Sequence, residues 1–438
     1  MTFTDPTRAP SPLDLTDLEA IQAAINTEEL VTLALELGNI PSPSKHEAAA
    51  GQYVYDWMTR EGFNPRKAGV SPERFNVIGE YGGNAPLKGR NLLLTAHLDT
   101  ESPLEDAALN AHKYRADTLA DPEWRNCWIE DGKIFGYPVS NDRGPMSCFL
   151  IAAKALKTAG FDLAGKVYLT ACPGEIGPEP VEEYAGVDYL GKDIGANYLL
   201  HHGGVAPDYA IAAEGCDFGA TWQGCGYALF RIRIYGRTVF TPLITHPASA
   251  KDHPNPLYRI GEVTDALLEW GRAYEAASIY AGPGGVSAPK VQLSAIRGGV
   301  PFDFGAGTEI CSLYFEAGLN PHQSAAEAQR GIESVLAPLG LEDFDVEAVI
   351  LRHGSEANAE AVAPLAGAVD AATRLVLGNP LEVAHPAYSS MWRDHNVFNL
   401  NRIPALTTGM PRFRPTPQDM THSALIYALT MLSVCGRV

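Results

Sequence analysis

The chain has 438 residues, 46% of them hydrophobic and 19% charged, with a formal net charge of −19. That length exceeds one ordinary domain and the mixture is that of a folded chain rather than a disordered or membrane one, so two domains are expected. The acidic balance, with a pI near 5.0, excludes nucleic acid and anionic membranes, which need a basic face, and leaves small molecules as partners. In chain order, Pro-rich residues 5–13 precede the helical pattern LTDLEAIQAAINTEELVTLALELGNI, and PSPSKHEAAAGQYVYDWMTREG predicts a second amphipathic helix. Short apolar runs follow. NLLLTAHLD (91–99), KVYLTACPGE (166–175), DYAIAAEG (208–215) and RIPALTTGM (402–410) read as buried strands that end in polar residues, and CFLIAAKALKTAG (148–160) as an intervening helix. The fold class is therefore α/β with a mainly parallel sheet, in which ligands collect beyond the carboxyl ends of the strands. Between 218 and 353 the order changes to β-α-β-β-α-β, a split βαβ unit of the ferredoxin-like kind, after which AEAVAPLAGAVDAATRLVLG leads back to the first sheet. The expected domains are 1–217 with 354–438, and an insertion at 218–353.

The seven cysteines are odd in number and lack CxxC spacing. That argues against a disulfide framework or a thiolate zinc site, and for a reducing cytoplasm. MTFTDPTRAPSPLDL has no basic stretch followed by an apolar core, and no apolar run reaches about 18 residues, so neither a signal peptide nor a membrane span is expected. Chemistry concentrates at the predicted strand ends. His97-Leu98-Asp99 puts two side chains on one side of an extended segment, so that Asp99 can hold the imidazole while its other nitrogen binds a metal. Alone, HxD more often describes a hydrogen-bonded histidine at a strand end. Glu175, Glu214 and His422, each at a strand end or loop near the same sheet edge, turn the balance towards a metal site.

In these motifs the chain resembles the metal-dependent exopeptidases and deacylases related to carboxypeptidase G, aminoacylase and succinyl-diaminopimelate desuccinylase. The resemblance covers nearly the whole length, including the insertion, which it implies to be a dimerisation domain. It implies metal-binding roles for His97, Glu175, Glu214, His422 and position 141, and an orienting role for Asp99. Two positions depart from the family pattern. Counting from Gly136 to Gly144 places Asn141 where the family has an aspartate that bridges two ions, with Asp142 one residue later. In CPGEIG, Gly174 occupies the place of the glutamate that serves as general base. An amide cannot offset the repulsion of two close dications as a carboxylate does, so one ion per chain, manganese or zinc, is the expectation. Asp142 and Glu179 are candidates for the missing base.

Other residues carry weaker signals. The resemblance gives His246 the role of a histidine that completes a dimer partner's site and stabilises an oxyanion, with His253 as a rival and a solvated loop as the bland alternative. His201-His202 fits a surface turn better than a ligand pair. Trp222, Tyr227, Tyr388 and Trp392 are candidates for a platform under a flat substrate, with Phe413 nearby in sequence, although aromatic residues are more often core. Arg393, Arg412 and Arg414 are candidates for gripping a substrate carboxylate. Glu316 or Ala317 stands where the family has a carboxylate-binding arginine, which speaks against ordinary N-acyl amino acids. The expectation is a cytoplasmic, metal-dependent hydrolase of a small-molecule C–N bond, at least dimeric. Its favoured reaction is hydrolytic deamination of an activated aromatic amine such as a nitro-substituted aminobenzoate. Amide hydrolysis of N-acyl amino acids or peptides is the alternative, and an inactive binding protein the third reading.

Overall fold

The computed structural model describes residues 10–185 and 191–438. They form two compact units, one of Met1–Trp222, Ala357–His385 and Arg393–Val438, the other of Gln223–Glu356 and Pro386–Trp392. The short segment 386–392 goes with the second unit, although the sequence reading assigned it to the first.

The first unit is built on a seven-stranded sheet in the order Arg66–Ser71, Arg74–Gly82, Lys166–Cys172, Leu92–His97, Tyr209–Ala213, Ala405–Thr408, Ala220–Thr221. Its four middle strands are the four predicted ones, and they run parallel. Both edges are antiparallel. The parallel strands are buried along nearly their whole length, which is why they read as continuous apolar runs rather than as alternating ones. Because they are parallel, His97, Cys172, Ala213 and Thr408 end at one edge. Helices Gly144–Thr158 and Pro417–Cys435 pack on each other and on the strands Leu92–His97 and Lys166–Cys172. The second of these helices is buried from Met420 to Cys435 except at His422, so it is apolar almost all round.

The first helical pattern is two helices, Leu15–Ala24 and Thr27–Gly38. Asn26 adopts an extended conformation and its side chain accepts from the Glu28 and Glu29 amides, which starts the chain on a new helix. The next helix begins only at Ala48, since Pro41 and Pro43 keep the preceding segment extended.

In the second unit a four-stranded antiparallel sheet, in the order Val291–Gly298, Ile310–Leu319, Gly226–Tyr235, Asp343–Arg352, carries the helices Ile260–Ala277 and Ala325–Leu336. Strand Gly226–Tyr235 alternates buried and half-buried residues along its length, the mark of a sheet with one face on a core. That core holds Phe230, Ile232, Leu313, Phe315, Val263 and Ile332. The β-α-β-β-α-β order is the expected one, with a small hairpin, Tyr280–Gly282 and Gly285–Ser287, added after the first helix.

Candidate metal centre

His97 closes its strand almost fully buried. Its Nδ1 lies 2.8 Å from the backbone oxygen of Asp99 and 3.6 Å from the Asp99 carboxylate. The carbonyl is thus the acceptor that fixes the ring, with Nδ1–H donating and Nε2 left as the ligand atom. The sequence reading gave that task to the Asp99 carboxylate, which is engaged elsewhere. It accepts from the amides of Glu175 and Ile176, at 2.9 and 2.7 Å, and from the Ser44 hydroxyl at 2.9 Å. Burial works against the charge on Asp99, but His97 and these donors hold its pKa below the usual carboxylate value. Asp99 therefore fastens the loop that carries Glu175 to the strand that carries His97.

His97 Nε2 faces Asp142 Oδ2 at 3.0 Å, Asn141 Oδ1 at 3.4 Å and Glu175 Oε2 at 4.0 Å. The metal role expected at position 141 is thus shared in space with its neighbour, and the nearer and charged group is Asp142. Backbone angles of φ −148° at Asn141 and −132° at Asp142 interrupt the helical turn that leads into Gly144. Gly144 is small of necessity, because a Cβ there would come within 2.2 Å of Met410 Cε and 2.8 Å of the Val139 oxygen. Arg143, fully buried, donates to the carbonyls of His97 and Leu98 and to the Ser42 hydroxyl, tying this loop to the same strand end.

When its ring is protonated, His97 donates Nε2–H to Asp142 across 3.0 Å, and among the described residues no other donor reaches either oxygen of that carboxylate. Burial disfavours a charged ring, yet the charge of Asp142 and then those of Glu175 and Asp99 hold the His97 pKa well above its ordinary value. Burial pushes Glu214 up to about 7, with Asp142 and Glu175 acting in the same direction and Arg393 opposing. Burial followed by the charge of Glu175 raises Asp394 well above the carboxylate range, against His97 and Lys192. Metal-free, this cluster gathers protons to offset its negative charge, and displacing protons from such ligands is what a divalent ion does. A buried carboxylate whose one partner is an imidazole is likewise a group that calls for a cation. Donor types and burial fit a divalent ion at His97, Asp142 and Glu175, although among the described residues no three ligand-type side chains already stand in coordination array.

The remaining predicted residues distribute as follows. Glu214 follows its strand as expected, but its Oε2 lies 2.7 Å from Arg393 Nη1, and Arg393 is fully buried. Arg393 is thus committed to an internal carboxylate rather than open to a substrate's. His422 contacts the Gln418 amide at 2.6 Å and the Phe218 ring at 6.5 Å. Burial lowers its pKa. Among the described residues no hydrogen bond or ion pair joins His422 to His97, Glu175 or Glu214. Trp222 packs against the core of the first unit. Within the second unit Tyr227 and Trp392 meet edge to face at 6.4 Å, and Tyr388 is buried. His246 is exposed, 3.3 Å from the buried His253, whose ring stacks on Tyr258 at 3.7 Å. His201 and His202 are exposed at the end of the helix Ala196–His202. Arg414 pairs with Glu123, and Phe413 is exposed. Glu179 is half-buried beyond the Glu175 loop.

Two members of the cluster escaped the sequence reading. Lys192 Nζ lies 3.4 Å from Glu175 Oε1, both groups nearly buried. Asp394 follows Arg393 in WRDH, a string in which the tryptophan and the arginine drew notice, and a carboxylate and a histidine directly after the arginine were the available signal. Lys192, in GKD, had none.

The sequence matches no family model. Over 151 residues the chain is 25% identical to the N-formyl-4-amino-5-aminomethyl-2-methylpyrimidine deformylase of Bacillus subtilis, covering 34% of this chain and 33% of that one. Matches to the curated relatives span about a fifth to a third of their length. The fold is shared along the whole chain with human carnosine dipeptidase 1, at TM-score 0.64 and 15% identity, covering 97% of this chain and 99% of that one. It is shared also with the YxeP protein of Bacillus subtilis, described as a dinuclear metal-binding peptidase of the M20 family, at TM-score 0.58 and 14% identity, covering 94% and 99%. The chain thus has the fold of the M20 metallopeptidases, the exopeptidases and deacylases that its motifs resemble.

Proposed function

We propose that the chain is a metal-dependent hydrolase of a C–N bond in a small molecule. The observation that carries this reading is the solvent-excluded cluster of His97, Asp142 and Glu175, in which two buried carboxylates face Nε2 of an imidazole oriented through its Nδ1. One divalent ion such as Mn²⁺ or Zn²⁺, held there with Glu214 close by, would supply Lewis acidity and bring a water's pKa towards neutrality. The chain's own residues do the rest. The Asp99 carbonyl keeps His97 Nε2 turned inward, Arg143 locks the 141–142 turn to the strand end, and the Asp99 carboxylate holds the Glu175 loop in register. Asp394, whose carboxyl is raised well above the usual carboxylate range by burial and by the charge of Glu175, is the group in this reading that would hold a proton near the cluster.

Amide hydrolysis is the finer reading that the relatives' names favour, since they are dipeptidases, carboxypeptidases and a deformylase. One observation favours the second, deamination of an electron-poor aryl amine. Gly174 has φ +76°, and a Cβ there would lie 3.0 Å from both Arg74 Nη2 and the Gly191 oxygen. The position is shaped for glycine, so the proton shuttle that the family places there for an amide's poor leaving group is not supplied from this position. Water addition to an activated ring carbon depends less on such a shuttle. The deciding experiment is a substrate panel that reads both ammonia and carboxylic acid release. Acid from N-formyl amines, N-acyl amino acids or dipeptides, with no ammonia from nitro- or carboxy-anilines, supports the amide reading, and the reverse supports deamination. Activity that survives chelation sinks both.

A dimer formed through the second unit belongs to this reading. Strand Val291–Gly298 lies at an edge of its sheet, and Phe302 and Phe304 beside it are 84% and 91% exposed, a surface that invites a second copy. All seven cysteines are free and buried, which supports a reducing compartment such as the cytoplasm. Among the described residues no helix is long and apolar enough to cross a membrane.

A further inference from the structure

Glu214 follows the strand Tyr209–Ala213 at the same sheet edge as His97 and Glu175, and the charges of Asp142, Glu175 and His97 all act on it. Its carboxylate is nevertheless already partnered. Arg393 Nη1 sits 2.7 Å from Oε2 with its side chain fully buried, and Arg412 Nη1 stands 4.0 Å from the same oxygen. On the other side of the cluster, Lys192 Nζ is 3.4 Å from Glu175 Oε1. Two internal cations therefore flank the carboxylates of a fold in which a dinuclear relative holds two ions.

We propose that Arg393 stands in for a second divalent ion. Its guanidinium neutralises Glu214 from within the protein and so limits the chain to one ion, held at His97, Asp142 and Glu175. The chemistry suits the task. A guanidinium keeps its charge at any working pH, pairs with a carboxylate through a planar fork, and is less strongly hydrated than an ammonium, so it is the cation most readily buried beside a carboxylate. Once there it repels any dication that approaches Glu214, and the low dielectric of a buried site strengthens that repulsion. Asn141 acts in the same direction, since its amide offers no charge for two ions to share. Arg393 thus converts a two-ion frame into a one-ion site by substituting a fixed charge for an exchangeable one.

The inference rests on the reading that the cluster holds a metal, and the test separates the two. Mn²⁺ is titrated into metal-free wild type, Arg393→Gln and Arg393→Lys, with bound ions counted by elemental analysis and unfolding followed by circular dichroism. Wild type and Arg393→Lys are expected to bind one ion each. Arg393→Gln is expected to bind a second, at least tenfold weaker, and to gain more thermal stability from Mn²⁺ than wild type does. One ion in Arg393→Gln with unchanged affinity, or two in wild type, overturns the proposal alone. No Mn²⁺ bound by wild type sinks the metal reading and the proposal together. Should Arg393→Gln not fold, Arg393→Lys carries the test, and two ions in that charge-preserving variant overturn it.

Discussion

The free nitrogen of His97 and the carboxylate of Asp142 stand 3.0 Å apart in a space closed to solvent, while the Asn141 amide is a little farther off at 3.4 Å. Charge and distance both favour Asp142 as the anionic ligand. Replacing it by asparagine keeps the volume and removes the charge, so Asp142→Asn should weaken Mn²⁺ binding about 10- to 100-fold, the range found when groups that tune a site are lost, or more. Asn141→Ala should cost much less. Titration of metal-free protein measures both, and a larger loss for Asn141→Ala would return the ligand role to the amide.

Metal retention should depend on pH, with a definite sign. In the metal-free chain Glu214 is raised to about 7, chiefly by burial, and His97 is raised by Asp142 and its neighbours against burial. An ion binds the deprotonated forms, so protons compete with it and affinity rises with pH until both groups have lost their protons. Below about pH 7 the apparent affinity should fall about tenfold per unit for each proton displaced. Competition with a colorimetric chelator between pH 6 and 8.5 checks this. Affinity that is flat over the range means that neither group is a ligand or a neighbour of the ion.

His246 gives a test of assembly. It is exposed on its own chain beside His253, and in the dimer proposed above it would complete the partner's site, where a histidine that stabilises an oxyanion contributes about 10² or more in rate. A chain carrying His246→Ala and one carrying Asp142→Asn should each be nearly inactive, and mixing them should restore up to about a quarter of wild-type activity through heterodimers that contain one intact site. Light scattering should give twice the chain mass. A monomer of full activity rules the arrangement out.

Much of the fold was legible because its signals are local. Four apolar runs became the four parallel strands, and the alternation of 226–235 became a half-exposed strand. The first helix broke in two because one residue, Asn26, caps a new start, and a single cap is easily lost within an apolar rhythm. In the candidate site, His97, Asp99, Glu175 and Glu214 lie at or just beyond strand ends, as the apolar runs implied, whereas His422, read at the same edge, has no hydrogen bond or ion pair to His97, Glu175 or Glu214 among the described residues. What each touches was another matter. Whether Asp99 holds His97 through its carboxylate or its carbonyl, and whether Arg393 faces a substrate or Glu214, depends on side-chain directions that spacing does not encode. Lys192 reaches Glu175 across 17 residues that bear no motif.

The last prediction concerns Gly174, where the resemblance implies a general base. If that glutamate were merely missing, restoring it should raise amide hydrolysis by about 10² to 10⁴, the usual worth of a positioned acid–base group. The structure argues otherwise. With φ +76° the backbone lies in the left-handed region, where a side chain costs about 1–2 kcal/mol. The Cβ would also come within 3.0 Å of the Gly191 carbonyl and of Arg74 Nη2, and 3.1 Å of Ile194 Cγ1. A glutamate there grows towards Arg74, whose guanidinium already holds the buried Glu47 at 2.5 Å, and it would compete for that charge rather than reach a substrate. Gly174→Ala should therefore lower the thermal midpoint, and Gly174→Glu should lower it further. Neither should raise turnover on any amide more than a few-fold, and the rate on aryl amines should fall or stay level. Thermal melts and the same substrate panel decide the matter. A Gly174→Glu chain as stable as wild type with amide hydrolysis up by 10² or more would show that the site had lost only its base, and the deamination reading would then lose its support.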